Sequence, residues 1–267
     1  MTPAPAHTGS QHVRDAMARL VHAIASLERP RWLVRALCRA FAWHFRIGMD
    51  DVIRPVGAYV SLMDFFLREL RPETRPVDAR PDAAVSPADA LVTAAGIADG
   101  GHLVLVKGTP YSFAELLGRR RDEYDGGCFV MLYLSPADCH RFYAPYDSSV
   151  AASWRIDGLT LPVYPAAVAK RPHTFVTNRR IVTELDTARG KIAFIAIGAT
   201  NVGRVVVNHP VPPAEGSGHA YHKGGEFGRF ELGSSIVLLF ERGRFRLADG
   251  MAAGRAVRIG QCIARCC

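Results

Sequence analysis

Ser235-Ile236-Val237-Leu238-Leu239-Phe240 is an unbroken apolar run entered from a glycine-serine step, Gly233-Ser234. It is far too short to span a bilayer, and its β-branched and aromatic make-up reads as a strand buried on both faces. A buried strand needs neighbours. Other short β-rich runs supply them: Leu103 to Val106, Cys128 to Leu134, Phe175 to Leu185, Lys191 to Ile197 and Val202 to Asn208, punctuated by glycine, proline and asparagine.

The N-terminal part has another texture. From Arg31 to Arg46 the spacing predicts a helix: Arg31, Arg35, Arg39 and Arg46 fall on one side, with Leu33, Leu37, Phe41 and His44 opposite. A second helical segment, about Val60 to Leu70, runs into Arg71-Pro72 and Arg75-Pro76, where proline stops it. The expected fold is therefore α+β, with N-terminal amphipathic helices followed by a mainly antiparallel β-rich core. We divide the chain into residues 1–58, a basic helical segment, and 59–267, the β-rich domain.

A formal net charge of +8 points to an anionic partner, either nucleic acid or an anionic membrane surface. No nucleic-acid-binding module is recognisable, and no stretch is long and apolar enough to cross a membrane. The basic helix has two readings: it lies in the headgroup region, apolar face down, or it packs on its own domain with a solvated arginine face. Of six cysteines the first three, Cys38, Cys128 and Cys139, are scattered, and without a clean secretory signal this reads as a reducing compartment without structural disulfides. Cys262, Cys266 and Cys267 read as a frayed tail in preference to a metal or acylation site, having no nearby histidine. His219, His222 and Glu226 have a metal-like spacing, but the surrounding glycines favour a loop, and no metal is expected.

Several ordered blocks carry more specific information. They are Asp64 to Pro72 with Arg75-Pro76; Ser86-Pro87-Ala88-Asp89; Lys107-Gly108-Thr109-Pro110-Tyr111-Ser112 with Leu116-Leu117-Gly118; Tyr133-Leu134-Ser135-Pro136-Ala137-Asp138-Cys139-His140-Arg141-Phe142; Gly198 to Gly203; and Lys223 to Phe230 leading to Glu231-Leu232-Gly233-Ser234-Ser235. In this order they resemble the phosphatidylserine decarboxylases, pyruvoyl-dependent enzymes made as self-cleaving proenzymes. The resemblance covers nearly all of the chain from Asp64 onward.

That resemblance implies a function and a set of roles. Decarboxylating an amino acid needs an electron sink conjugated to the amine, which no side chain supplies. The family makes one from its own backbone. Ser234 Oγ attacks the Gly233 carbonyl; the resulting ester eliminates, and hydrolysis leaves a pyruvoyl group at position 234 with loss of ammonia. Residues 1–233 become one chain and residues 234–267 the other, and the two stay together.

Ser234 is thus the pyruvoyl precursor and Schiff-base site, with Asp89 and His140 as the catalytic pair. The implied reaction converts phosphatidylserine to phosphatidylethanolamine at an anionic membrane surface, by a peripheral protein on the cytoplasmic face of the cell membrane. A homo-oligomer is expected on the same ground. The alternatives are a non-cleaving lipid-binding relative and a pyruvoyl decarboxylase of a free amino acid.

Three departures bear on the mechanism. Where the family reads His-Arg-x-His, this chain has His140-Arg141-Phe142-Tyr143, and a tyrosine, with a reference pKa of about 10, is a poor base. Either His140 covers both roles, or His219 or His222 substitutes, or maturation is slow or absent. Ala90 stands where the family has glycine, which would be strained at positive φ. Arg179 replaces a glutamate, while Asn178 and Arg180 remain.

Overall fold

A computed structural model describes residues 20–106, 109–171, 173–199, 204–212, 218–231 and 233–267. Lys107, Gly108, Thr200 to Gly203 and Leu232, all singled out in the sequence, lie outside the described residues, as do residues 1–19.

The strands are short, in keeping with the frequent glycine and proline. In chain order they are β1 (Ala83–Val85), β2 (Ala90–Ile97), β3 (His102–Val106), β4 (Thr109–Ser112), β5 (Cys128–Leu134), β6 (Arg141–Tyr143), β7 (Ser148–Ile156) and β8 (Arg180–Thr187). They continue as β9 (Gly190–Gly198), β10 (Arg204–Val207), β11 (Ala220–Tyr221), β12 (Glu226–Glu231), β13 (Ser234–Phe240), β14 (Phe245–Leu247), β15 (Ala256–Val257) and β16 (Cys262–Cys266). Eight form one sheet in the order β11-β7-β8-β9-β13-β5-β2-β15, and every pairing in it is antiparallel. The expected α+β fold with an antiparallel core is what the chain adopts.

The apolar run is the middle of this sheet. β13 pairs with β9 on one edge and β5 on the other, and all seven of its residues are buried. Its alternation divides the core. Ile236, Leu238 and Phe240 pack into one cluster, and Val237 and Leu239 into the other. Each such side chain contributes about 1.5–3 kcal/mol on burial.

A smaller sheet, β10-β12-β6, covers the first face. Phe142 and Phe227 reach down from it to Phe194 of β9, with ring centroids 5.4 and 4.6 Å apart. Gly228 permits this approach, since a Cβ there would lie 2.2 Å from the Val206 carbonyl oxygen.

Two predicted elements change. Phe175, read as the start of a strand, sits in the short helix Thr174–Thr177, and the strand begins at Arg180. Burial of Thr174 and Phe175 overrides their β-propensity. The second helix is only Leu62–Phe66, started by the Ser61 hydroxyl, which accepts the Asp64 N–H.

The first helix, Arg31–His44, packs on its own domain. Val34 and Cys38 are its buried residues, and they join Val52, Tyr59 and Phe65 in a small third cluster that crosses residue 58. The buried seam is rotated from the Leu33/Leu37/His44 face read from the sequence. Leu33 and Leu37 are half-buried and His44 is exposed, because the chain beyond the helix folds back on the Val34/Cys38 side. Arg31, Arg35, Arg39 and Arg46 are all exposed. Among the described residues no helix is long and apolar enough to cross a membrane.

Candidate active site

Gly233 has φ +53°, a left-handed conformation that favours glycine, and it turns the chain into β13. Ser234 is the first residue of that strand, held between Leu134 of β5 and Gly198 of β9. It is fully buried, and among the described residues its Oγ has no hydrogen-bond partner. Leaving a buried hydroxyl unpaired costs about 1–3 kcal/mol, so the position calls for an explanation. By strand alternation Ser234 faces the same layer as Ile236, where Phe142 and Phe230 of the smaller sheet pack. Ser235 faces the other way, its hydroxyl also buried and unpartnered.

His140 immediately precedes β6, and its carbonyl accepts the Phe230 N–H at 2.9 Å. The loop 135–139 therefore leaves β5 level with Ser234 and returns onto β12, the strand that leads to Gly233. Topology thus brings serine and histidine to the same end of the two sheets. His140 is fully buried, with Nδ1 3.0 Å from the Asp138 carbonyl oxygen. A carbonyl only accepts, so Nδ1 carries the proton and Nε2 keeps its lone pair. Nε2 is buried without a partner among the described residues. The Phe66 ring lies against the imidazole, centroids 3.9 Å apart. Burial pulls the pKa of His140 down to about 3, the hydrogen bond to Asp138 opposes this, and the Arg68 charge adds to the fall. The neutral imidazole is the form that accepts a proton.

Asp138 also shapes the loop, its Oδ2 accepting the N–H and the hydroxyl of Ser135, both at 2.7 Å. Asp89 is anchored elsewhere. Arg75 holds its carboxylate through Nε, 2.9 Å from both oxygens, and through Nη2 at 2.7 Å, while the Ile259 N–H donates to Oδ1 at 2.9 Å. Asp89 and His140, paired in the sequence reading, are thus two separately anchored groups. The Asp138 carbonyl, not Asp89, orients the imidazole.

Tyr143 is half-buried in β6, and burial raises its pKa further above its ordinary value, with Cys139 and Glu226 adding to the rise. It is a neutral phenol. His219 and His222 flank β11, at the edge of the large sheet, with β7, β8 and β9 between β11 and β13. At about 4.8 Å per strand, that is roughly 19 Å along the sheet. His222 is fully exposed beside Asp147. Among the described residues no hydrogen bond or ring contact joins either histidine to Ser234. Ala90 lies in β2, and among the described residues only Arg46 and His173 combine a side chain with positive φ. Its methyl group therefore carries no strain.

Asn178 and Arg180 are supports. The Asn178 amide donates to the carbonyls of Leu161 and Gly198, both at 2.8 Å, and so steadies the residue opposite Ser234. Arg180 donates to the carbonyls of Leu116, Glu115, Val176 and Asn178. The sequence reading did not single out Arg68, Arg75, Phe66 or the Asp138 carbonyl. Arg68 is 2% exposed and donates to the Ala137 carbonyl, with Nε and Nη1 unpartnered. Arg68, Arg75 and Phe66 lie within the Asp64 to Pro76 blocks, which were read as family signature without roles.

The chain matches the family model described as phosphatidylserine decarboxylase over residues 62–265. It is 36% identical to the phosphatidylserine decarboxylase proenzyme of Myxococcus xanthus over 260 residues, covering 93% of each chain. The proenzyme of Methylococcus capsulatus is 32% identical over 269 residues, covering 95% of this chain and 93% of that one. That of Anaeromyxobacter is 36% identical over 264 residues, covering 93% of each.

Proposed function

Because the chain belongs to the phosphatidylserine decarboxylase family, we propose that it is a proenzyme that cuts itself between Gly233 and Ser234 and then decarboxylates phosphatidylserine to phosphatidylethanolamine. The observation that carries the reading is a pair of orphaned atoms. Among the described residues, Ser234 Oγ and His140 Nε2 are both fully buried and unpartnered. A hydroxyl and a lone pair kept dry and unsatisfied are the groups a proton transfer needs.

In this reading His140 Nε2 takes the proton of Ser234 Oγ as the oxygen attacks the Gly233 carbonyl carbon. The peptide C–N bond breaks and an ester C–O bond forms. Elimination across the Cα–Cβ bond of Ser234 then leaves Gly233 with a carboxylate, and hydrolysis releases ammonia. The pyruvoyl group made at position 234 supplies the electron sink for loss of carbon dioxide. His140 carries protons in both stages, since Tyr143 is neutral and His219 and His222 flank β11 at the sheet edge. Asp89, locked to Arg75, supports the site through its bond to Ile259 rather than by orienting the imidazole.

The two products stay associated because β13, in the 234–267 fragment, is hydrogen-bonded along both edges by β5 and β9 of the 1–233 fragment. The membrane contact is the outer side of the Arg31–His44 helix. Trp32 and Trp43 are 70% and 80% exposed, and eleven residues, about three turns, set them on one face with Arg39. Exposed tryptophan beside arginine suits the headgroup layer, in keeping with a peripheral protein on the cytoplasmic face of the cell membrane. A homo-oligomer is part of the same proposal.

The test is substrate choice. Phosphatidylserine in vesicles should release carbon dioxide and yield phosphatidylethanolamine, whereas free serine and free tryptophan should not react. Turnover of a free amino acid in preference to the lipid would replace this reading with a soluble decarboxylase.

A further inference from the structure

A cavity of about 620 Å³ opens between the 74–80 connector and the C-terminal strands. Five arginines line it, Arg75, Arg80, Arg255, Arg258 and Arg265, against two acids, Asp78 and Asp249. The difference, five minus two, is three positive charges. Arg75 is committed to Asp89 and Asp51, and Arg80 to Asp78. Arg255 donates to the Asp249 carbonyl, and among the described residues Arg255, Arg258 and Arg265 form no ion pair. Arg265 also stands directly across from Arg246 on β14, a like-charge pair that disfavours the sheet unless an anion relieves it.

A concave site with unpaired guanidinium groups matches a phosphate, which offers oxygens to several planar forks at once. We propose that this cavity binds a phosphate group, held by Arg258 and Arg265 with Arg255 behind them. The source is either a free phosphate anion or the headgroup of an anionic lipid other than the one being decarboxylated. The inference stands on the cavity alone, whatever chemistry the chain performs. Its position gives it reach, because Arg75 and Ile259 line the cavity and both bond to Asp89.

Binding of inorganic phosphate to the full chain, measured by calorimetry, should show one saturable site that Arg258→Gln with Arg265→Gln weakens by roughly tenfold or more. Flotation with phosphatidylcholine vesicles containing phosphatidylglycerol provides the lipid arm. The exposed pair Arg171→Gln with Arg242→Gln, outside the cavity, removes the same charge as a control. Phosphate binding lost only in the cavity variant assigns the site to a free anion. No phosphate binding, but vesicle binding lost only in the cavity variant, assigns it to a lipid headgroup. Equal behaviour of the two variants in both arms, with thermal melting confirming that they fold, overturns the proposal.

Discussion

Arg75 grips Asp89 with two of its nitrogens, Nε 2.9 Å from both carboxylate oxygens and Nη2 2.7 Å from one, at side-chain exposures of 11% and 13%. At that burial a lost partner matters more than the pair itself. Asp89→Asn should lower unfolding stability by about 2 kcal/mol, because it removes one of the two carboxylates, Asp89 and Asp51, that pair with Arg75. The double variant Arg75→Met with Asp89→Leu should cost less than the two single changes summed. Urea titrations of the four proteins check this, and strict additivity would mean that the pair is not coupled.

The environments of His140 and Tyr143 assign the proton traffic to one of them. His140→Gln should slow self-cleavage by about 100-fold or more, since it removes the buried, unprotonated imidazole nitrogen assigned as the base. Tyr143→Phe should leave cleavage unchanged, because a phenol whose pKa burial has raised accepts no proton at neutral pH. Tyr143→His should speed it by adding a second base. Electrophoresis of timed samples after synthesis reads all three, and loss of cleavage in Tyr143→Phe would contradict the assignment.

Two buried histidines set an acid limit. Burial pulls His140 down to about 3 and His209 to about 4, the latter enclosed by Tyr221, Ser153 and Thr183. Both folded values lie below the ordinary 6.5, so the unfolded chain binds their protons first. Their contribution is complete above pH 6.5 and is lost as pH falls, down to about 4 for His209 and about 3 for His140. Each accounts for a slope of about 1.4 kcal/mol per pH unit within its window. His209→Gln should remove one proton's share of that slope in denaturant titrations run between pH 4 and 6.5.

The centre of this fold was legible because β13 is apolar on both faces, and only a strand between two neighbours and two layers accommodates that. The end at which chemistry sits was legible too, as the motif order around Gly233-Ser234 and His140. What escaped was pairing at a distance. The alternation of the Arg31–His44 helix does not say which apolar stripe finds Tyr59 and Phe65, so the buried seam was read one step round the wheel. Asp89 and His140 share a motif order but have different partners, because Arg75 and the Asp138 carbonyl claim them first. A backbone carbonyl leaves no trace in residue identity, so the orienting group of the imidazole could be found only in the structure.

The central claim is that the buried Ser234 hydroxyl converts the Gly233-Ser234 link into a ketone. Intact mass spectrometry of the purified protein tests it most directly. We expect two species, residues 1–233 and a 34-residue fragment, 267 less 233, that spans 234–267 and begins with pyruvate in place of serine. Ser234→Ala should yield one uncut, inactive chain. A wild-type chain of full mass that still decarboxylates phosphatidylserine would contradict the account.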